Sequence, residues 1–215
     1  IQNDHIIVPQ AQPERINTGS QYIDALIKTS GLSQITLNLA IDLTQSSTVT
    51  TVQVVLTKLK AKYNMVKANH SGNPLLAENR TALAKLVQKE NADLGLIWDS
   101  DGDRVMIVDD KGKLIPPSFI LGLLGRQLIK ENNDKKVVVD VRSGLVVRDL
   151  ILQGGGEIEV LPAWGQYVKF AMYTNPKIVF GGEISGHYVF ANFHIIDDGI
   201  LAGLLFIRLW QESDI

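Results

Sequence analysis

Three aspartates, Asp99, Asp101 and Asp103, alternate through Asp99-Ser100-Asp101-Gly102-Asp103-Arg104, directly after the apolar run Leu94-Gly95-Leu96-Ile97-Trp98. Like charges this close repel. A divalent cation that prefers oxygen ligands, Mg²⁺ or Ca²⁺, relieves that repulsion most simply. Arg104 adds a planar donor suited to phosphate oxygens. Together they point to phosphate chemistry at the end of a buried strand. The plain alternative is a solvated acidic turn, since Asp and Gly are common turn residues. An EF-hand loop is excluded: counted from Asp99, the sixth position needs Gly and holds Arg104, and the twelfth needs Glu and holds Asp110.

A second motif, Gly181-Gly182-Glu183-Ile184-Ser185-Gly186-His187, suits sugar hydroxyls. A carboxylate accepts from two adjacent hydroxyls, a serine donates or accepts, and glycines let the backbone approach. A glycine-rich turn with a satisfied His187 is the plain reading of that loop in isolation.

The elements that must hold these motifs alternate between strand-like and helix-like segments, so the fold class is α/β, with mixed, largely parallel sheets flanked by helices. Ile35–Leu43, Tyr63–Ala68 and Leu94–Trp98 read as strands, with helices over Thr48–Lys62 and within Pro74–Glu90. The aspartate loop then lies at the carboxyl end of a strand, where open α/β sheets place ligands. Arg104–Asp109 and Lys113–Ile115 read as a hairpin through Asp110-Lys111-Gly112. Pro116-Pro117 breaks the chain, which divides it into residues 1–115, carrying the metal loop, and 116–215, carrying the sugar loop. In the second part, Val137–Val141, Glu157–Leu161, Ile178–Phe180 and His187–Phe190 are strands. Phe119–Lys130, Ser143–Gln153, Gln166–Tyr173 and Asp198–Trp210 are helices, the last with Asp197 or Asp198 near its N-terminus. Tyr22–Lys28 has helical character. The two halves share a strand–helix rhythm without a clear sequence repeat.

The chain has 215 residues, a formal net charge of −2 and no cysteine. Length and apolar content allow one large domain or two smaller ones with a real core. No Lys/Arg-rich stripe is present, so no nucleic-acid partner is expected. No apolar run long enough for a membrane span and no signal-peptide pattern occur, so no membrane partner is expected. The lack of cysteine excludes disulfides and thiolate metal sites and favours a cytoplasmic location. The chain opens on Ile1 rather than Met and stops soon after an apolar segment, which reads as a piece of a longer protein.

Two family resemblances bear on the aspartate loop. A strand followed by Asp-x-Asp-Gly resembles the first motif of haloacid dehalogenase-like phosphatases, which implies Asp99 as nucleophile and Asp101 as acid/base. That family has Thr or Val where this chain has Asp103, and its motif sits near the start of the fold. Asp-x-Asp-Gly-Asp-Arg followed by Gly-Glu-x-Ser-Gly-His resembles the α-D-phosphohexomutases more closely. Asn73-Pro74 with Glu78-Asn79, and Val138-Val139-Asp140-Val141 with Arg142, resemble further stretches of that family.

The phosphohexomutase resemblance implies domains 2 and 3 of a four-domain enzyme that interconverts hexose 1- and 6-phosphates through a phosphoserine and a bisphosphorylated sugar. By that resemblance Asp99, Asp101 and Asp103 hold Mg²⁺, Arg104 and Arg142 serve the phosphoryl and catalytic region, and Glu183, Ser185 and His187 bind the sugar of a hexose phosphate substrate. It implies that a phosphoserine domain on the N-terminal side and a phosphate-binding domain on the C-terminal side are missing partners. His70-Ser71-Gly72-Asn73 resembles the family's serine loop only superficially, so the piece alone is expected to be inactive as a mutase. Four positions depart from the family pattern: Ser100 for Gly, Arg142 for Lys, Gln166 for His and Ala163 for Lys. A metal-dependent sugar-phosphate-binding module without catalysis is therefore an alternative, as is the phosphatase using Asp99.

Overall fold

The computed structural model describes residues 18–213, which hold two four-stranded sheets. In chain order the elements are α1 (Gly19–Ser30), β1 (Asn38–Asp42), α2 (Val49–Lys58), β2 (Lys62–Met65), α3 (Ala77–Glu90), β3 (Leu94–Trp98) and β4 (Val105–Val108). After them come α4 (Pro117–Glu131), β5 (Lys136–Asp140), α5 (Leu145–Gln153), β6 (Glu157–Leu161), α6 (Gly165–Thr174), β7 (Ile178–Gly182), β8 (Tyr188–Phe190) and α7 (Gly199–Glu212).

The first sheet runs β2-β1-β3-β4 and the second β6-β5-β7-β8. Each is parallel except for its last strand, β4 against β3 and β8 against β7. The same topology thus occurs twice, although the sequence carries no clear repeat. β3 is buried along its whole length, as expected of an apolar run covered on both faces.

The expected hairpin forms, and its first arm also pairs with β3. Val105–Val108 pairs antiparallel with β3, in register from Trp98↔Val105 to Gly95↔Val108. The Lys113–Ile115 arm meets it through the Val108↔Leu114 bridge and the bond from Ile115 N to Ile107 O. β4 thus pairs on both edges, with β3 on one and this arm on the other, and Asp109 N donating to Lys113 O at 2.8 Å closes the turn.

α3 covers one face of the first sheet, with Leu83 and Val87 against Ala40, Ile97 and Met106. α6 covers the outer face of the second, with Val168 and Met172 against Val138, Ile178 and Val189. Between the sheets a single core joins Leu39, Leu96, Trp98 and Ile107 of the first to Val137, Phe180 and Tyr188 of the second, through α1, α2, α4, α5 and α7. α7 follows the second sheet in sequence yet lies against α1, β3 and β4 of the first and against α4. Asp198 caps it, accepting from Leu201 N at 2.8 Å, and the Tyr22 hydroxyl donates to the same carboxylate at 2.7 Å. Among the described residues no helix is long and apolar enough to cross a membrane.

Candidate functional site at the seam between the sheets

Asp99 follows the last residue of β3 and is 2% exposed. Its carboxylate folds the loop around itself. Oδ1 accepts from Gly102 N (3.1 Å) and Arg104 N (3.2 Å), and Oδ2 accepts from Arg104 Nε at 2.5 Å. Gly102, at φ +78°, supplies the left-handed turn this needs. Asp101 is exposed and Asp103 half-buried. One oxygen of each of Asp99, Asp101 and Asp103 lies within 4.8 Å of the others. From outside, the loop is clamped by Ser47 N donating to Ser100 O (2.7 Å) and Gly199 N donating to Gly102 O (3.0 Å).

The second motif closes just beyond β7. Glu183 N donates to His187 O at 3.0 Å and Gly186 N to Glu183 O at 3.1 Å, forming a tight turn with Gly186 at φ +92°. Glu183 is 6% exposed. Arg142 Nη2 lies 3.3 Å from its Oε1. The Ser185 hydroxyl lies 3.3 Å from its Oε2 and 2.9 Å from His187 Nδ1. Arg142 is in turn oriented by Asp140, which is buried at the end of β5 and accepts from Arg142 Nε at 3.0 Å, from Nη2, and from Arg142 N at 2.9 Å. Asp42, at the equivalent end of β1, is held similarly: it accepts from Thr44 N and pairs with His70 Nε2 at 2.9 Å. His70 Nδ1 accepts from Gly72 N (3.1 Å), so the proton of the neutral ring sits on Nε2 and is donated to Asp42.

The two motifs meet. Arg104 and His187 form an antiparallel backbone bridge, Val105 N donates to Gly186 O at 3.3 Å, and His187 Nε2 lies 3.4 Å from Asp103 Oδ2. A Cβ added to Gly186 would sit 3.0 Å from Val105 O, so glycine permits the approach. Burial raises the pKa of Asp99, opposed by its bonds from Arg104. The hydrogen bond from His187 holds Asp103 below the ordinary carboxylate range, against the effect of burial. Burial lowers the pKa of His187, but the bond and charge of Asp103, with Asp197 and Glu183, outweigh it and leave the pKa raised.

All eight residues singled out from the sequence therefore lie in two loops and one strand end. Asp99, Asp101, Asp103 and Arg104 form one group, Arg142, Glu183, Ser185 and His187 the other, and the Asp103–His187 contact joins them. Three carboxylates are hard oxygen donors that suit Mg²⁺ or Ca²⁺. Asp99 already accepts three N–H groups, and a carboxylate has roughly four lone-pair sites, so it fits a cation as a one-oxygen ligand. Sequence reasoning missed Asp140, which aims Arg142. It also missed Asp197, which lies against His187 and Asp103. The available signal for Asp197 was the doubled Asp197-Asp198 ahead of an apolar helix, which read only as a helix start.

Comparison with known proteins identifies the family of both halves. Residues 20–112 match the family description "Phosphoglucomutase/phosphomannomutase, alpha/beta/alpha domain II", and residues 116–214 match "alpha/beta/alpha domain III" of the same family. The chain belongs to the phosphoglucomutase/phosphomannomutase family. Over 141 residues, 66% of the chain, it is 34% identical to a protein named "Phosphohexose mutases" from Xanthomonas campestris pv. campestris, and this stretch is 31% of that protein. It is 28% identical to the phosphomannomutase of Escherichia coli (strain K12), covering 91% of the chain and 46% of the relative. The chain thus spans less than half the length of these relatives. A crystal structure of a phosphoglucomutase/phosphomannomutase family protein from Burkholderia thailandensis superposes with a TM-score of 0.85 at 21% identity, over 94% of this chain and 45% of that one. That likeness speaks for the fold.

Proposed function

We propose that the chain is the central part of a cytoplasmic phosphohexomutase, in which Asp99, Asp101 and Asp103 hold Mg²⁺ while Glu183, Ser185 and His187 hold the sugar of a hexose phosphate. In this reading residues 1–115 form the metal-bearing domain and 116–215 the sugar-bearing domain. The observation that carries it is the seam, where His187 of the sugar loop lies 3.4 Å from Asp103 of the aspartate loop. A cation and a hexose bound at the two loops would be neighbours.

Each residue then has a physical task. Glu183, poised between Arg142 and Ser185, accepts from adjacent sugar hydroxyls. Arg142 stays charged beside Asp140 and Glu183; it positions substrate and does not shuttle protons. Arg104, bonded to Asp99, keeps guanidinium donors at the metal loop for phosphoryl oxygens. Bound there, Mg²⁺ would neutralise charge on a transferring phosphoryl group. The phosphoryl donor is a phosphoserine outside this chain, so the piece alone does not interconvert hexose 1- and 6-phosphates. Membership in the mutase family, together with three N–H donors already on the Asp99 carboxylate, speaks against Asp99 as a phosphatase nucleophile.

Calorimetric titration of the 215-residue chain with glucose 6-phosphate and with Mg²⁺ tests the reading. Glu183→Gln should weaken sugar-phosphate binding by more than about tenfold and spare Mg²⁺. Asp101→Asn should weaken Mg²⁺ by more than about tenfold and spare the sugar. Failure of either ligand to bind the wild-type chain would refute that half of the proposal. Turnover of glucose 1-phosphate by the pure chain would refute the need for an outside serine.

A further inference from the structure

Asp197 belongs to neither motif and lies on the turn between β8 and α7. One oxygen of its carboxylate, one of Asp103 and a ring nitrogen of His187 all lie within 4.8 Å of one another. The backbone around it is fixed: residue 197 bridges to Val189, and Asp198 N donates to Tyr188 O at 3.0 Å. Its side chain is fixed as well, because Lys169 Nζ on α6 pairs with its Oδ1 at 2.7 Å, with both side chains largely buried. His187 therefore has Asp103 and Asp197 near it in addition to Glu183, whose Oε2 lies 3.4 Å from Nδ1, and the Lys169 ammonium compensates Asp197. That ammonium also argues against reading Asp103, His187 and Asp197 as a further metal site, since the positive charge is already supplied.

Asp103 has two claims on it. Its Oδ2 is the near partner of His187 Nε2, and its carboxylate is also one of the three candidate cation ligands. A cation that draws the carboxylate toward Asp99 and Asp101 weakens its hold on the imidazole. No cation makes that demand on Asp197, which stands outside the Asp99–Asp101–Asp103 group and has Lys169 as its other partner.

Resting on the cation-and-sugar reading above, we propose that Asp197, braced by Lys169, is a positioning residue that keeps His187 oriented for the sugar when a cation engages Asp103. Asp103 and Asp197 then share His187 without the cation, and with the cation bound Asp197 takes over the part of Asp103, while Ser185 and Glu183 stay at Nδ1 in both states. Without Asp197, cation binding and sugar binding would oppose each other through Asp103, and by linkage each would weaken the other equally.

The test compares the wild-type chain with Asp197→Asn, which preserves shape, and Lys169→Met, which removes the brace. Binding of glucose 6-phosphate is measured by calorimetry with and without saturating Mg²⁺, and the His187 ring is followed by ¹H–¹⁵N correlation without sugar. In Asp197→Asn, added Mg²⁺ should weaken sugar-phosphate binding by about tenfold relative to wild type, a coupling of ordinary size. Without Mg²⁺ the two chains should agree within about twofold, because Asp103 still holds the ring. Lys169→Met should shift binding the same way by less. A merely structural role would weaken binding equally in both conditions, and that result, or no effect in either, overturns the proposal. If the wild-type chain binds no sugar phosphate, the sugar reading fails on its own and the ring signals decide. A Mg²⁺-induced shift of the His187 resonances in Asp197→Asn well beyond that in wild type supports the role of Asp197, and equal shifts overturn it. If Mg²⁺ leaves the amides of residues 99–104 unmoved in wild type, the cation reading and this role fall together.

Discussion

Gly199→Ala sets two rules against each other at the point where α7 meets the aspartate loop. By helix propensity alone the change stabilises, by up to about 1 kcal/mol, because Ala replaces Gly at the start of α7. Packing predicts the opposite. A Cβ at residue 199 would sit 2.6 Å from the carbonyl carbon of Arg104, 2.8 Å from its oxygen and 2.8 Å from Gly102 O. All three are backbone atoms of the aspartate loop and cannot rotate aside. Overpacking of this kind costs about 1–3 kcal/mol. Prying the two segments apart also weakens the bonds from Gly199 N to Gly102 O (3.0 Å) and from Trp98 Nε1 to Gly199 O (2.9 Å), each worth about 1 kcal/mol. The net expectation is a loss of about 2–4 kcal/mol, or roughly 5–12 °C in Tm for a chain of this size. Differential scanning calorimetry reads the stability, and Mg²⁺ titration reads the loop, whose affinity should fall with the displacement. An unchanged or raised Tm would refute the claim that α7 is in hard contact with the loop.

Two further substitutions test the electrostatics. Tyr22→Phe removes the hydroxyl that donates to Asp198, whose pKa burial raises despite that bond. A carboxylate with a raised folded-state pKa favours folding below its unfolded value and loses that contribution as pH rises through the folded one. The Tyr22→Phe penalty should therefore be full near neutral pH, about 1.5–3 kcal/mol for a bond to a charged acceptor, and shrink as Asp198 protonates. Urea midpoints from neutral to acid pH check this, and a flat penalty would contradict it. His187 titrates above its ordinary value and Asp103 below its own. The stability of their pair is present below the ordinary imidazole pKa and is lost as pH rises through the raised one. It is lost again as pH falls through the lowered carboxylate value. In metal-free buffer His187→Gln should therefore destabilise most in mildly acidic solution. NMR titration of wild type should place the imidazole pKa above 6.5, with Asp103→Asn lowering it.

Local pattern was enough for much of this architecture. β3 and β6 occupy the ranges expected from their short runs of strand-forming residues, Leu94–Trp98 and Glu157–Leu161. The aspartate loop is legible for the same reason, since its carboxylates are close in sequence and follow a buried strand. What was not legible is non-local. Nothing around Lys113 shows that Val105–Val108 also pairs with β3 on its other edge, because that pairing comes from burial between α3 and the central core. Strand ends also moved where glycine left the backbone room: β7 runs on to Gly182, beyond the expected Phe180, because it must pair with β8. The bridge between Arg104 and His187, the aim of Arg142 from Asp140, and the place of Asp197 all depend on how the sheets dock. The notion of two related halves is visible in the repeated strand order rather than in residue identities.

The path of α7 has a bearing on biosynthesis. Its apolar side chains, Ile200, Leu201, Leu204 and Leu205, are buried in the core shared with Leu96 and Trp98. Those partners are translated about one hundred residues earlier. A nascent chain that has just emerged through β4 therefore exposes an oily sheet surface until α7 clears the ribosome. The aspartate loop acquires its Gly199 clamp only at that moment, so competence to hold a cation should arise only after α7 has been made.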